Sequence, residues 1–189
     1  MSNRNYNLIF RSLNFAAERH RHQLRKGATK VPYINHPIKV VTVLTEFLEE
    51  NHELLSAAAL HDVVEDTAKG KEEINMLSES IKEQFGAEVL KLVLEVSDDK
   101  SLPYQERKRL QVENTPFLSN EAKKIKIADK ICNINDMIND PPIDWATERK
   151  IKYLEWAKKV IDGARGVNSS MEAYFDKIKK EAHHKLTNK

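Results

Sequence analysis

The chain has 189 residues, enough to bury one substantial core and too few for two comfortable ones. Lys and Arg number 31 against 29 Asp and Glu, a net charge of +2 with His neutral, so no bulk field draws the chain to nucleic acid or an anionic membrane. Hydrophobic residues at 40% exclude a disordered chain, and five Gly with six Pro are too few for a sandwich or barrel; the expected fold is all-α.

In chain order, Leu8, Phe10, Leu13, Ala16, Ala17 and His20 recur at helical spacing over about residues 5–25. A polar loop from Gly27 to Pro32 interrupts them. Asn35-His36-Pro37 starts a second helix whose buried face is expected to carry Ile38, Val41, Leu44, Thr45 and Leu48. The third, over about 52–65, is apolar nearly all round from Leu54 to Leu60, the mark of a central helix. Further helices are expected over 71–84, 87–96, 104–113, 120–139, 144–161 and about 168–183, with a polar tail fraying from His183. Eight to ten helices in one domain over 1–189, with a core of about 5–183, is the predicted architecture. Cys132 has no partner for an internal disulfide or a zinc ribbon, and it reads as packing. Met1 to Asn7 opens on no apolar run of signal-peptide length, and no later run approaches a membrane span; a cytoplasmic protein without a membrane partner is expected.

The chemistry lies in the histidines and carboxylates. His61 and Asp62 are adjacent, and Glu65 and Asp66 follow each at i+4, so four ionisable groups crowd the end of an apolar helix. Uncompensated, three acids there repel one another, and a cation resolves the repulsion. His36, between Ile34 and Ile38, and Asp129, within Ile125 to Ile131, can complete the shell, with Asn133 one turn beyond Asp129. Taken singly, His36 reads as a satisfied semi-buried histidine and Asp129 as a surface charge paired with Lys126 or Lys130. Together, an imidazole and carboxylate set suits Mn²⁺ or Fe²⁺, and zinc also accepts it.

His36, His61-Asp62 and Asp129 resemble the metal set of the HD phosphohydrolase superfamily. Arg25-Lys26, Pro32-Tyr33-Ile34-Asn35-His36-Pro37 and His61-Asp62-Val63-Val64-Glu65-Asp66-Thr67 resemble the hydrolase domain of RelA/SpoT proteins, which degrade the alarmones ppGpp and pppGpp. Phe85-Gly86, Asp98 to Pro103, Glu106 to Glu113 and Ala128-Asp129-Lys130 look like its small stand-alone branch. The likeness runs from about Phe15 to Gly166. The stretch between Thr67 and Phe85 is longer than in those relatives, so the loop after the E-D-T motif is expected to differ in shape. Ending at Lys189, without the synthetase domain of bifunctional relatives, the chain is expected to hydrolyse alarmone and not to make it.

The resemblance implies that His36, His61, Asp62 and Asp129 hold one Mn²⁺ ion and that Glu65 and Asp66 orient or deprotonate the attacking water. It implies release of pyrophosphate from the 3′ position, leaving GDP or GTP. Arg25 and Lys26 match positions beside the base, and Asn133 one near the ribose, with Asp136 on the nucleoside side. Lys100, Arg107 and Lys108 are candidates for countering phosphate charge, and Trp145 with Arg149 for shaping the mouth. The partner is thus a small phosphorylated nucleotide. An adenine alarmone (pApp), the 2′-phosphate of NADPH and a deoxynucleoside monophosphate stand as alternatives within the superfamily, and a non-catalytic alarmone sensor stands outside it. The motif strings argue against the monophosphate.

Overall fold

A computed structural model describes residues 3–47 and 51–188. Among the described residues the chain forms ten α-helices, one 3-10 turn and two isolated β-bridges, an all-α fold. They are α1 (Asn3–Arg19), α2 (Asn35–Phe47), α3 (His52–Leu60), α4 (Val63–Thr67), α5 (Gly70–Phe85), α6 (Ala87–Val96), α7 (Tyr104–Asn114), α8 (Asn120–Asn139), α9 (Thr147–Asp162) and α10 (Ser169–Thr187). The 3-10 turn Thr115–Phe117 links α7 to α8. No helix among the described residues is long and apolar enough to cross a membrane.

The centre is α3, buried without interruption from Leu54 to Leu60 and packed against α1, α2, α6 and α8. Asn51 caps its N-terminus by accepting from the Leu54 amide, as Ser119 and Asn168 cap α8 and α10. Helix α8 crosses the middle of the molecule and touches α2, α3, α6, α9 and α10. Buried apolar residues form one cluster reaching from Ala16 to Ala182.

Several boundaries differ from the sequence-based expectation, each for a local reason. The third helix does not run to residue 65. His61 Nδ1 lies 2.8 Å from the Ala58 carbonyl, the acceptor that the amide of residue 62 would use in a continuous helix. The chain turns at His61-Asp62 and restarts as α4, so Glu65 and Asp66 stand in the first turn of a short helix, not at the end of a long one. Helix α1 ends at Arg19 rather than near 25, because the Gln23 amide turns back onto His20 O and Leu24 pairs with Pro32.

On α2 the buried face is His36, Pro37, Val40, Val41 and Leu44; Ile38 and Thr45 face solvent, and Leu48 lies outside the described residues. Phe10, expected on the buried face of α1, is likewise exposed. Helix α9 begins at Thr147, since Pro141-Pro142 and a turn from the Trp145 amide to Pro142 O occupy the preceding residues. Helix α10 does not fray at His183 but continues to Thr187, with Leu186 packed on the core. The stretch after Thr67 holds only Ala68 and Lys69 before α5 begins.

Phe175 of α10 is fully buried. Phe175→Ala is expected to cost about 3–5 kcal/mol in urea denaturation. A loss below about 1 kcal/mol would contradict the docking of α10 onto α8.

Candidate metal centre and active site

Donor atoms gather where α2, the α3–α4 break and α8 meet. His36 Nε2 lies 3.1 Å from Asp129 Oδ1 and 3.6 Å from Asp62 Oδ2. His61 Nε2 lies 2.9 Å from Asp62 Oδ2 and 4.0 Å from Asp129 Oδ1. One donor atom each from His36, His61 and Asp129 falls within 4.8 Å of the others. Both rings are buried. Because His61 Nδ1 is committed to Ala58 O, its Nε2 is the atom left to ligate or titrate. That nitrogen is buried without an aligned hydrogen-bond partner, despite Asp62 close by. An orphaned imidazole nitrogen among carboxylates fits a divalent cation, and His36, His61, Asp62 and Asp129 are the residues that would hold it.

Outer partners fix these groups. Tyr33 Oη donates to Asp62 Oδ2 at 2.6 Å. Asp129 accepts from Lys130 Nζ at 2.7 Å and from Asn133 Nδ2 at 2.6 Å. Burial disfavours a charged His61 ring, but the facing Asp62 and Asp129 outweigh it and push its pKa up to about 9. For His36, burial prevails and lowers the pKa. Burial likewise opposes ionisation of both aspartates, yet His61 holds Asp62, and Lys130 holds Asp129, below the usual carboxylate range.

Glu65 and Asp66 project from α4 beside this cluster. Glu65 Oε2 accepts the Asp98 amide at 3.0 Å, and its Oε1 lies 2.9 Å from Lys100 Nζ and 3.8 Å from Arg107 Nη1. Asp66 accepts from Lys100 Nζ at 2.9 Å and from Gln23 Nε2 at 2.8 Å. Burial first, and then the charge of Asp62, raise the Glu65 pKa. His36, His61, Asp62, Asp129, Glu65 and Asp66 all line one cavity of about 610 Å³.

An HD-domain family profile matches residues 12–154. The chain belongs to the HD-domain family. It is 47% identical over 167 residues to the Drosophila melanogaster guanosine-3′,5′-bis(diphosphate) 3′-pyrophosphohydrolase MESH1, spanning 88% of this chain and 89% of that one. It is 44% identical over 165 residues to the Homo sapiens protein of the same name, spanning 87% and 88%. A solved structure described as a metazoan orthologue of SpoT that hydrolyses ppGpp superposes with a TM-score of 0.83 at 44% identity, covering 92% of this chain and 94% of that one.

The same cavity of the HD domain brings together Arg25, Lys26, Lys100, Arg107, Asn133, Asp136 and Trp145. Arg149 is not in its wall; its guanidinium carbon stacks 4.5 Å from the Trp145 ring centre. Arg25 Nη2 is tied to Asn133 Oδ1 at 2.7 Å and Asp136 Oδ2 at 3.0 Å, so Asp136 partners a cation and also takes Lys39 Nζ at 2.6 Å. Lys130 does pair with Asp129, but as a buried pair and not on the surface. Residues without a predicted role that line the cavity include Tyr33, Gln23, Lys39, Lys130 and Tyr153. Tyr33 and Lys130 stood inside the motif strings, Lys130 directly after Asp129 and Tyr33 three residues before His36, and that placement was the available signal.

Mn²⁺ supplied to metal-free protein at about a hundredfold its Kd is expected to add about 2.7 kcal/mol of stability. The gain is read as a rise in Tm that Asp129→Asn abolishes. An ion held by His61 has to displace its proton, so apparent affinity is expected to weaken by up to about tenfold per pH unit below about pH 9. A calorimetric affinity that stays flat between roughly pH 6 and 8 would contradict His61 as a ligand.

Proposed function

We propose that the chain is a Mn²⁺-dependent (p)ppGpp 3′-pyrophosphohydrolase that converts ppGpp or pppGpp and water to GDP or GTP and pyrophosphate. The observation that carries this reading is the buried His–Asp cluster set against Glu65 and Asp66 on the floor of a cation-lined cavity. Identity of 44–47% to named pyrophosphohydrolases over nearly the whole chain supports the substrate class. The residues 1–189 are read as one catalytic domain, supported by the apolar cluster that runs from Ala16 to Ala182 among the described residues. A nucleotide substrate and a buried free thiol at Cys132 agree with a cytoplasmic site of action.

When bound at His36, His61, Asp62 and Asp129, a divalent ion supplies Lewis acidity for activating water and polarising the phosphoryl group. The protein's own groups do the rest. Tyr33 and Lys130 hold Asp62 and Asp129 in place. Glu65, its pKa raised by burial, is suited to take a proton from the attacking water, and Asp66 orients that water beside it. Lys100 and Arg107 lie at these carboxylates and line the cavity, where they counter the charge of the pyrophosphoryl group as it passes from the ribose 3′ oxygen to water. The Arg25 guanidinium, with Tyr33 on one side at 5.3 Å, offers its plane to a purine. Lys26 and Trp145 border the nucleoside end, with Asn133 near the ribose and Asp136 fixing Arg25.

The test is incubation of metal-stripped protein with ppGpp, with and without Mn²⁺, followed by ion-exchange analysis. GDP and pyrophosphate forming only with metal is the expected result. Intact ppGpp from folded, metal-loaded protein would overturn the reading, and pApp and NADPH in parallel measure preference. Glu65→Gln is expected to bind Mn²⁺ normally and lose about 10²-fold in kcat. As a base, Glu65 acts only when ionised, so wild-type kcat/KM should fall as pH drops through its raised pKa. That acidic limb should be absent from the residual activity of Glu65→Gln.

A further inference from the structure

Beneath the acids, a short polar relay links Asp66 to a buried histidine that takes no part in the chemistry described above. His20, 2% exposed, follows the end of α1 with its Nδ1 2.7 Å from Gln23 Oε1. Gln23 Nε2 in turn donates to Asp66 Oδ2 at 2.8 Å. The backbone fixes the glutamine from both sides: its amide bonds His20 O at 2.8 Å, and its carbonyl accepts the Tyr33 amide at 2.9 Å.

Hydrogen-bond polarity runs one way along this chain. A carboxylate only accepts, so the Gln23 amide must present N–H to Asp66 and its carbonyl to His20. His20 must then carry its proton on Nδ1, which leaves Nε2 as a bare acceptor, and Nε2 is indeed buried without a partner. An imidazole in the opposite tautomer would set two lone pairs against each other and release the amide to turn. The His20 ring also stacks on Tyr33, centres 4.7 Å apart, and Tyr33 is the donor to Asp62. One buried ring thus supports the partners of two different carboxylates.

We infer that Gln23, locked in one amide orientation by His20, is a positioning residue that aims Asp66 for hydrolysis. The inference rests on the function proposed above. With Lys100 on Oδ1 and Gln23 on Oδ2, the Asp66 carboxylate plane is held from both ends. Loss of Gln23 leaves Lys100, a flexible and half-exposed side chain, as the remaining tether.

The experiment has two parts. Long-range ¹H–¹⁵N NMR of histidine-labelled protein is expected to find His20 as the Nδ1–H tautomer in the wild type and to find that state lost in Gln23→Leu. Steady-state kinetics on ppGpp are expected to show kcat lowered about tenfold or more in Gln23→Leu and in His20→Phe, which keeps the ring packing. KM and Mn²⁺ affinity should stay within about twofold, the double variant should be no worse than either single one, and His20→Asn should recover most of the rate. Unchanged kcat in Gln23→Leu, additive losses in the double variant, or an Nε2–H tautomer in the wild type would each overturn the inference. A wild type that leaves ppGpp intact would instead count against the substrate, and the tautomer would still decide whether the relay exists.

Discussion

Everything in this molecule is arranged around the cost of keeping two aspartates and two histidines together in a place with little water. His36 and His61 are buried, and the carboxylates of Asp62 and Asp129 face them at 2.9–4.0 Å. Such a group is tolerable only where every charge has a counterpart. The donors come from α2, the α3–α4 break and α8, elements far apart in sequence, so the cluster exists only in the finished fold. The elements that carry it, α8 and the end of α3, also form the core. Stability and site therefore share the same helices.

Around that centre the charges alternate outward. Lys130 answers Asp129 from below and lies 4.9 Å from the Trp156 ring centre. Lys100 bridges Glu65 and Asp66. Lys126 is buried and gives its ammonium to Val96 O at 2.7 Å, capping the last carbonyl of α6. Two residues beyond that carbonyl, the Asp98 amide reaches Glu65. The end of α6 is thus tied both to α8 and to the proposed base, which makes the Ser97–Pro103 segment part of the site.

Much of this was legible in the sequence because it rests on local rules. Periodicity placed α6 and α8 to the residue, and the all-round apolar run at Leu54–Leu60 located the central helix. His36, His61 and Asp129 converge as a spatial cluster with Asp62 against both rings, and Glu65 and Asp66 line the same cavity. The break after Leu60 was not legible, since it depends on an imidazole competing for a backbone carbonyl, and helical spacing alone predicts continuity. Gln23 was also silent. Its partner Asp66 is 43 residues away, and no short-range pattern encodes such a distance. Arg149 reads as a mouth residue in the motif, and it stands behind the wall residue Trp145, packed on its ring.

The rim of the cavity contains a contact of a different kind. Gly27 pairs with Pro142 across the opening, and Thr29 holds Asp140 through its amide at 3.1 Å and its hydroxyl at 2.6 Å. A Cβ on residue 27 would stand 2.0 Å from Asp140 Oδ2 and 2.7 Å from its backbone oxygen. Rotating the aspartate relieves only the first clash; the second requires the two loops to part. The close approach of these two loops therefore depends on the absence of one carbon atom at residue 27. Any larger residue there widens the doorway while the floor, built from core helices, stays where it is.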